Sequence, residues 1–161
     1  MLGNTMITVT EDITLITLQN APADIHFLSD IFEQIGGMGV NIDMISLSPA
    51  QRAVTGLSFT VSDDDLVKVL EYTSTLRNAS SVMRPAVSSG NCKISILDRR
   101  MDAIPGFAAK VFRAAASVNT DIRIITTSEI EISLLITKAD ADATIAAIEK
   151  ALSMNPPPRN K

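Results

Sequence analysis

Chemistry-bearing side chains are scarce in this 161-residue sequence, which holds one cysteine, one histidine, one tyrosine and no tryptophan. A lone cysteine, Cys92, cannot close an internal disulfide, which points to a reducing compartment. With His26 as the single histidine, the usual zinc ligand sets cannot be assembled. No apolar run approaches the roughly 20 residues of a membrane span. Residues 1–20 contain no base but carry Glu11 and Asp12, so they do not read as a secretory signal. No lysine or arginine precedes Arg52, whereas six acids do (Glu11, Asp12, Asp24, Asp30, Glu33, Asp43), and the net charge is −4. A nucleic-acid groove needs the opposite sign. These absences leave a cytoplasmic, ligand-binding or regulatory protein, with no membrane or nucleic-acid partner.

Apolar residues, by contrast, are plentiful: 46% of the chain, with a mean hydropathy of +0.24. That is enough for a core without disulfides or metals, with surplus apolar surface to bury between modules or subunits. A degenerate internal repeat organises it. Val40-Asn41-Ile42-Asp43-Met44-Ile45-Ser46 falls into step with Thr120-Asp121-Ile122-Arg123-Ile124-Ile125-Thr126 at an offset of 80, as do Phe27 with Phe107 and Phe32 with Phe112. Ser58-Phe59-Thr60-Val61 matches Ser133-Leu134-Leu135-Ile136 at an offset of 75. The difference falls in a hairpin turn, where length changes are tolerated.

Within each copy the periods are legible. Residues 13–18 read as a strand. Ile25, Leu28, Ile31, Phe32 and Ile35 recur at helical spacing up to a C-cap at Gly36-Gly37. Residues 40–47 and 57–61 alternate as half-buried strands. Ser62 before Asp63-Asp64-Asp65 reads as an N-cap with an acidic first turn for a second helix. Residues 82–87 form a fourth strand, confined by Pro85 to an edge. The order is β-α-β-β-α-β, the ferredoxin-like unit. The second copy follows with strand 93–97, helix 106–118, strands 121–127 and 130–136, and helix 139–154. It then stops one strand short at Asn155-Pro156-Pro157-Pro158. The alternating Met6-Ile7-Thr8-Val9-Thr10 is expected to supply that strand. The fold class is therefore α+β: two ferredoxin-like modules with helices on one sheet face, interleaved by the N-terminal strand. The first module spans residues 11–89, the second 1–10 plus 90–154, and 155–161 are a disordered tail.

Catalytic readings fare badly. His26 and Cys92 fall in different modules, and a buried cysteine is ordinarily inert. Asp63-Asp64-Asp65 suits a helix start better than Mg²⁺. Gly36-Gly37-Met38-Gly39 follows a helix and lacks P-loop geometry. RNA-recognition motifs share this topology, but they display stacking aromatics on their middle strands, where this chain has Phe59 alone. Two places offer more. Pro105 suits the first position of a helix, and Gly106 leaves backbone N–H groups uncovered for an anion such as a carboxylate. The turn Thr127-Ser128-Glu129 offers hydroxyls and a carboxylate able to hold an ammonium. Together they match a free amino acid; a capped helix and a solvated turn are the plainer alternative. In the first copy Asp24 can cap the corresponding helix itself, so the copies are not equivalent.

At Asn41-Ile42-Asp43-Met44-Ile45, Met101-Asp102-Ala103-Ile104-Pro105-Gly106 and Ile125-Thr126-Thr127-Ser128-Glu129-Ile130-Glu131-Ile132-Ser133 the sequence resembles the tandem ACT-domain regulatory region of aspartate kinases, over about residues 6–154. The resemblance implies feedback effectors of the lysine, threonine and methionine pathway, a homodimer formed through edge or side-by-side sheets, interleaved modules, and no cofactor or metal. Effector pockets would form where the loop before one module's first helix meets the second strand of a module on the partner chain. Carried over by position, Asp43, Asn119, Ile122, Ser128 and Glu129 match effector contacts. Backbone at Asn41 and Ile42 joins the pocket wall, with Met101, Pro105, Gly106 and Thr127 contributed by the motif segments. The family's Asp-x-Pro-Gly is replaced by Ala23-Asp24-Ile25-His26, its glutamine by Leu47 and its Gly-rich loop by Asp98-Arg99-Arg100. Those departures weaken a threonine-type pocket and favour lysine. The kinase catalytic part has no counterpart here, so this chain is not expected to phosphorylate aspartate. It would be a separately made regulatory subunit acting with an aspartate kinase catalytic chain (Met1 fits an internal start), a fragment of a longer kinase, or a free-standing sensor. A structural dimerisation subunit with vestigial pockets is the rival reading.

Overall fold

Backbone geometry repeats with the same two offsets as the sequence. The computed structural model describes residues 5–153. Helix α1, Ile25–Gly37, and helix α3, Phe107–Ser117, end 80 residues apart. Each is followed by a left-handed residue, Gly39 (φ 74°) and Asn119 (φ 55°), also 80 apart. Helices α2, Leu66–Ala79, and α4, Ala141–Ser153, begin 75 apart, each after a 3-10 turn at Asp63–Asp65 or Lys138–Asp140. Ser62 caps the 3-10 turn rather than the α-helix expected there; its Oγ accepts from Asp64 N–H at 3.2 Å. The expected tail, 155–161, lies outside the described residues, as does the last residue of the expected helix 139–154.

Six strands complete the fold: β1 Thr5–Pro22, β2 Ile45–Leu47, β3 Val54–Ser62, β4 Arg84–Asp98, β5 Ile122–Thr127 and β6 Glu131–Thr137. The chain divides into two compact units, Glu11–Asn91 and Met1–Thr10 with Cys92–Lys161. In the first the strand order is β2-β3-β1-β4, and in the second β5-β6-β4-β1, the ferredoxin-like order in both. Segments 6–10 and 13–18, expected as separate strands, are one continuous β1, and 93–97 joins residues 84–87 of the expected 82–87 in β4, with Val82 and Met83 ahead of the strand. Asp12 (φ 56°) in β1 and Gly90 (φ 69°) in β4 adopt left-handed backbone near the two points of division. Asn91 is held to the first unit, its Nδ2 donating to the carbonyls of Ile13 (3.2 Å) and Ser88 (2.9 Å).

Each unit builds its own core by matching a two-residue strand period to a helical stripe. In the first, Ile16 and Leu18 of β1 and Leu57, Phe59 and Val61 of β3 pack with Ile31, Ile35 and Val69. In the second, Ile94 and Ile96 of β4 and Ile132, Leu134 and Ile136 of β6 pack with Val111, Ile148 and Leu152. Strand β2 is shorter than the expected 40–47. Met44 N–H donates to the Thr60 hydroxyl (2.9 Å) and Asp43 N–H to the Thr60 carbonyl (3.1 Å), so both approach β3 at one residue and no regular ladder forms before Ile45. No helix among the described residues is long and apolar enough to cross a membrane.

Candidate functional site

The expected chemistry of the second unit gathers where β4 gives way to α3 and β5 turns into β6. Asp98, the last residue of β4, donates its N–H to the Ile130 carbonyl at 2.9 Å and so ties the β4 end to the β5–β6 turn. A 3-10 turn at Met101–Ala103 follows, with Met101 half-buried against the core. Next comes a β-turn closed by Phe107 N–H donating to the Ile104 carbonyl at 3.2 Å. Pro105 and Gly106 are its central residues, and Gly106 at φ 83°, ψ 9° makes it type II. Pro105 therefore lies outside the helix rather than at its first position: proline presets the turn's first corner and glycine alone takes the second without strain. The anionic seat survives this correction. α3 begins after a residue with no side chain to cap it, and with Phe107 N–H already closing the turn, the Ala108 and Ala109 N–H groups are the ones no side chain caps. A Cβ on Gly106 would meet no atom within 4 Å. Gly106→Ala is thus expected to cost only the backbone penalty of positive φ, about 1–2 kcal/mol in a urea unfolding experiment.

Across the same end lies the β5–β6 turn. Ser128 N–H donates to the Glu131 carbonyl (2.8 Å), and its Oγ accepts from Ile130 and Glu131 N–H (3.3 and 3.1 Å). The hydroxyl expected to meet a ligand is thereby an acceptor within the turn, and it fixes how the exposed Glu129 is presented. Met101, Pro105, Gly106, Thr127, Ser128 and Glu129 thus share one end of the unit. Asn119 and Ile122 do not. They follow α3 at the other end of the ladder, where Ile122 pairs with Ile136 while Thr127 pairs with Ile132. Five strand residues separate the two groups, about 17 Å.

Three residues not singled out as ligands from the sequence hold this end together. Asp98 is 1% exposed. Its Oδ1 accepts from the N–H (2.9 Å) and Nε (3.1 Å) of Arg100, and its Oδ2 from Arg100 Nη2 (3.0 Å) and the Thr5 hydroxyl (2.7 Å). The Arg100 guanidinium, more than burial can oppose, lowers the Asp98 carboxyl to about 2. A depressed folded-state value stabilises above the ordinary carboxylate range and loses that stability as pH falls from about 4 through 2. Asp98→Asn should cost about 2 kcal/mol at pH 7, shrinking toward zero near pH 2, in urea titrations at the two pH values. Asp-x-Arg at a strand end was the available signal.

In the first unit Asp24 caps α1, its Oδ1 accepting from His26 N–H at 3.0 Å, so that helix start already holds an anion of its own. Asn41, Ile42 and Asp43 lie together between α1 and β2, Asn41 and Asp43 exposed and Ile42 half-buried against the core. Asp63 is engaged by the Thr14 hydroxyl (2.6 Å) and Gly90 N–H (3.1 Å), a structural use of its carboxylate. Among the described residues no three His, Cys, Asp or Glu side chains cluster as metal ligands. Phe59 is buried edge-on against Phe32, not displayed for stacking. Cys92 is buried in β4.

Residues 94–152, within the second ferredoxin-like unit, match the family model for the ACT domain. The chain is homologous to the regulatory region of aspartate kinases. It is 27% identical to an aspartokinase of Bacillus sp. (strain MGA3) over 90% of its own length and 35% of that protein. The ligand-free regulatory subunit of aspartate kinase from Thermus thermophilus superposes with a TM-score of 0.81 at 26% identity, covering 90% of this chain and 95% of that one. Aspartate kinase from Synechocystis gives 0.84 at 31% identity, over 96% of this chain and 28% of that one. The chain spans about a third of the length of the curated relatives it matches.

Proposed function

We propose that this chain binds a feedback amino acid of the aspartate pathway, lysine in preference to threonine, and transmits its occupancy to an aspartate kinase catalytic chain or domain. The observation that carries the reading is the pairing, at one end of the second unit, of an uncapped helix start with a carboxylate-bearing turn. The first suits a carboxylate and the second an ammonium. Asn41, Ile42 and Asp43, with Asn119 and Ile122, would line pockets completed by the partner chain of a homodimer associating through its sheets. Effector would favour one dimer arrangement, and the coupling cannot exceed its preference for that arrangement, typically about 1–3 kcal/mol. The cytoplasm, where such metabolites are made, is the expected compartment. Calorimetric titration with lysine, threonine and methionine tests the reading. Heat with lysine supports it; silence with all three supports a dimerisation subunit with vestigial pockets.

A further inference from the structure

Helices α3 and α4 leave an open groove of about 590 Å³ on the second unit, lined by none of the residues placed above in the effector site. Its lining among the described residues is alanines such as Ala146 and Ala147, with Val118 and Ser117, and its charged members are of one sign: Lys110, Arg113 and Lys150. The Ser117 hydroxyl on its wall donates to the Ala114 carbonyl of its own helix. Alanines admit a helix or a pair of bulky side chains at close range, and the cations select an acidic one.

The complement is carried by the chain itself. Among the described residues the helices leave three large apolar side chains exposed, Ile25, Val67 (69%) and Leu70 (46%). Val67 and Leu70 stand three apart on α2, outside the stripe through which Val69 and Thr73 are buried. Asp64, in the 3-10 turn leading into α2, and Glu71, one turn after Val67, are both exposed. The ridge is therefore apolar with acids at both ends, and Lys68, about one turn from each of those acids, is engaged with the Met38 carbonyl (3.3 Å) and Asp65 (3.7 Å). The charge of the whole chain is partitioned the same way. Residues 11–91 hold ten acids and four bases, and the remainder eight acids and ten bases.

We infer that the α2 ridge of one copy of this chain seats in the α3–α4 groove of a second copy. Val67 and Leu70 enter the alanine-lined floor, and Asp64 and Glu71 meet the cationic rim. Because ridge and groove are different surfaces, the contact is reciprocal about a two-fold axis or propagates from copy to copy. It uses helices, so it stands apart from the sheet association proposed above and does not rest on it.

Charge-reversed chains test this directly. A groove variant (Arg113→Glu with Lys150→Glu) and a ridge variant (Asp64→Lys with Glu71→Lys) are followed by sedimentation over a concentration series at low salt. Each variant alone should self-associate more than about tenfold more weakly than the wild type, because like charges then face each other. An equimolar mixture of the two should recover wild-type association, since each basic surface again finds an acidic one, and salt should weaken it. Equal masses for wild type and both variants, or a mixture no better than its parts, would overturn the contact. Loss of a sheet-mediated dimer would bear on the proposed function instead. Should a charge variant fold poorly by circular dichroism, Ala146→Phe fills the groove and Val67→Ser blunts the ridge. Unchanged association in both would also overturn it.

Discussion

Phe59→Ala is expected to destabilise the Glu11–Asn91 unit by about 3–5 kcal/mol, a large share of what a unit of this size possesses. Phe59 is 1% exposed and meets Phe32 edge-to-face, with ring centroids 5.7 Å apart. Truncation removes both the buried area and the aromatic pair, the latter worth about 0.5–1.5 kcal/mol by itself. The cavity cannot close by moving the strand, because Phe59 is paired with Ile16 on one side and Ile45 on the other. Hydrogen exchange gives the cleanest reading. Amides of β3 should lose protection while those of β6, in the other unit, keep theirs. A loss below about 1 kcal/mol by urea unfolding would mean that the first unit's core collapses around the gap.

Most of this core could be read from the sequence, because it depends on periods a single chain displays. Ile31 and Ile35 recur at helical spacing, Leu57, Phe59 and Val61 alternate, and both patterns return 80 or 75 residues later. What escaped depended on hydrogen bonds that periodicity does not record. Strand β2 shrank to Ile45–Leu47 because Thr60 offers its hydroxyl as well as its carbonyl to the incoming segment. Pro105 moved from helix to turn because Gly106 next to it makes a type II turn the better use of the pair. Asp98-Arg99-Arg100 looked like a departure from a glycine-rich loop, and nothing in the one-dimensional pattern shows that Thr5 reaches the same carboxylate. Of the candidate site, the helix start and the turn were legible as motifs, each with its own local geometry. The distance of Asn119 and Ile122 from them follows only once α3 and β5 run back along each other.

Glu129→Ala should weaken lysine binding about thirtyfold or more, and it is the change on which the effector reading turns. Glu129 is exposed at a turn whose backbone is held by the Ser128 hydroxyl accepting from Ile130 and Glu131 N–H, so its loss should leave stability within about 0.5 kcal/mol. Binding is another matter. Once an incoming ammonium is desolvated between chains, removing its carboxylate partner costs about 2–5 kcal/mol. Thermal unfolding reports the same quantity by linkage. Lysine at 100 times its dissociation constant raises wild-type stability by about 2.7 kcal/mol, and at that concentration Glu129→Ala should gain less than half of it. Glu129→Gln separates charge from shape, since it keeps an acceptor but no anion and should behave nearly as the alanine variant does. Glu149→Ala, an exposed acid on α4, should bind as the wild type does. Equal affinity for Glu129→Ala and wild type would remove Glu129 from the pocket and move the ammonium contact to Asp43 of the first unit, where Asp43→Ala provides the matching titration.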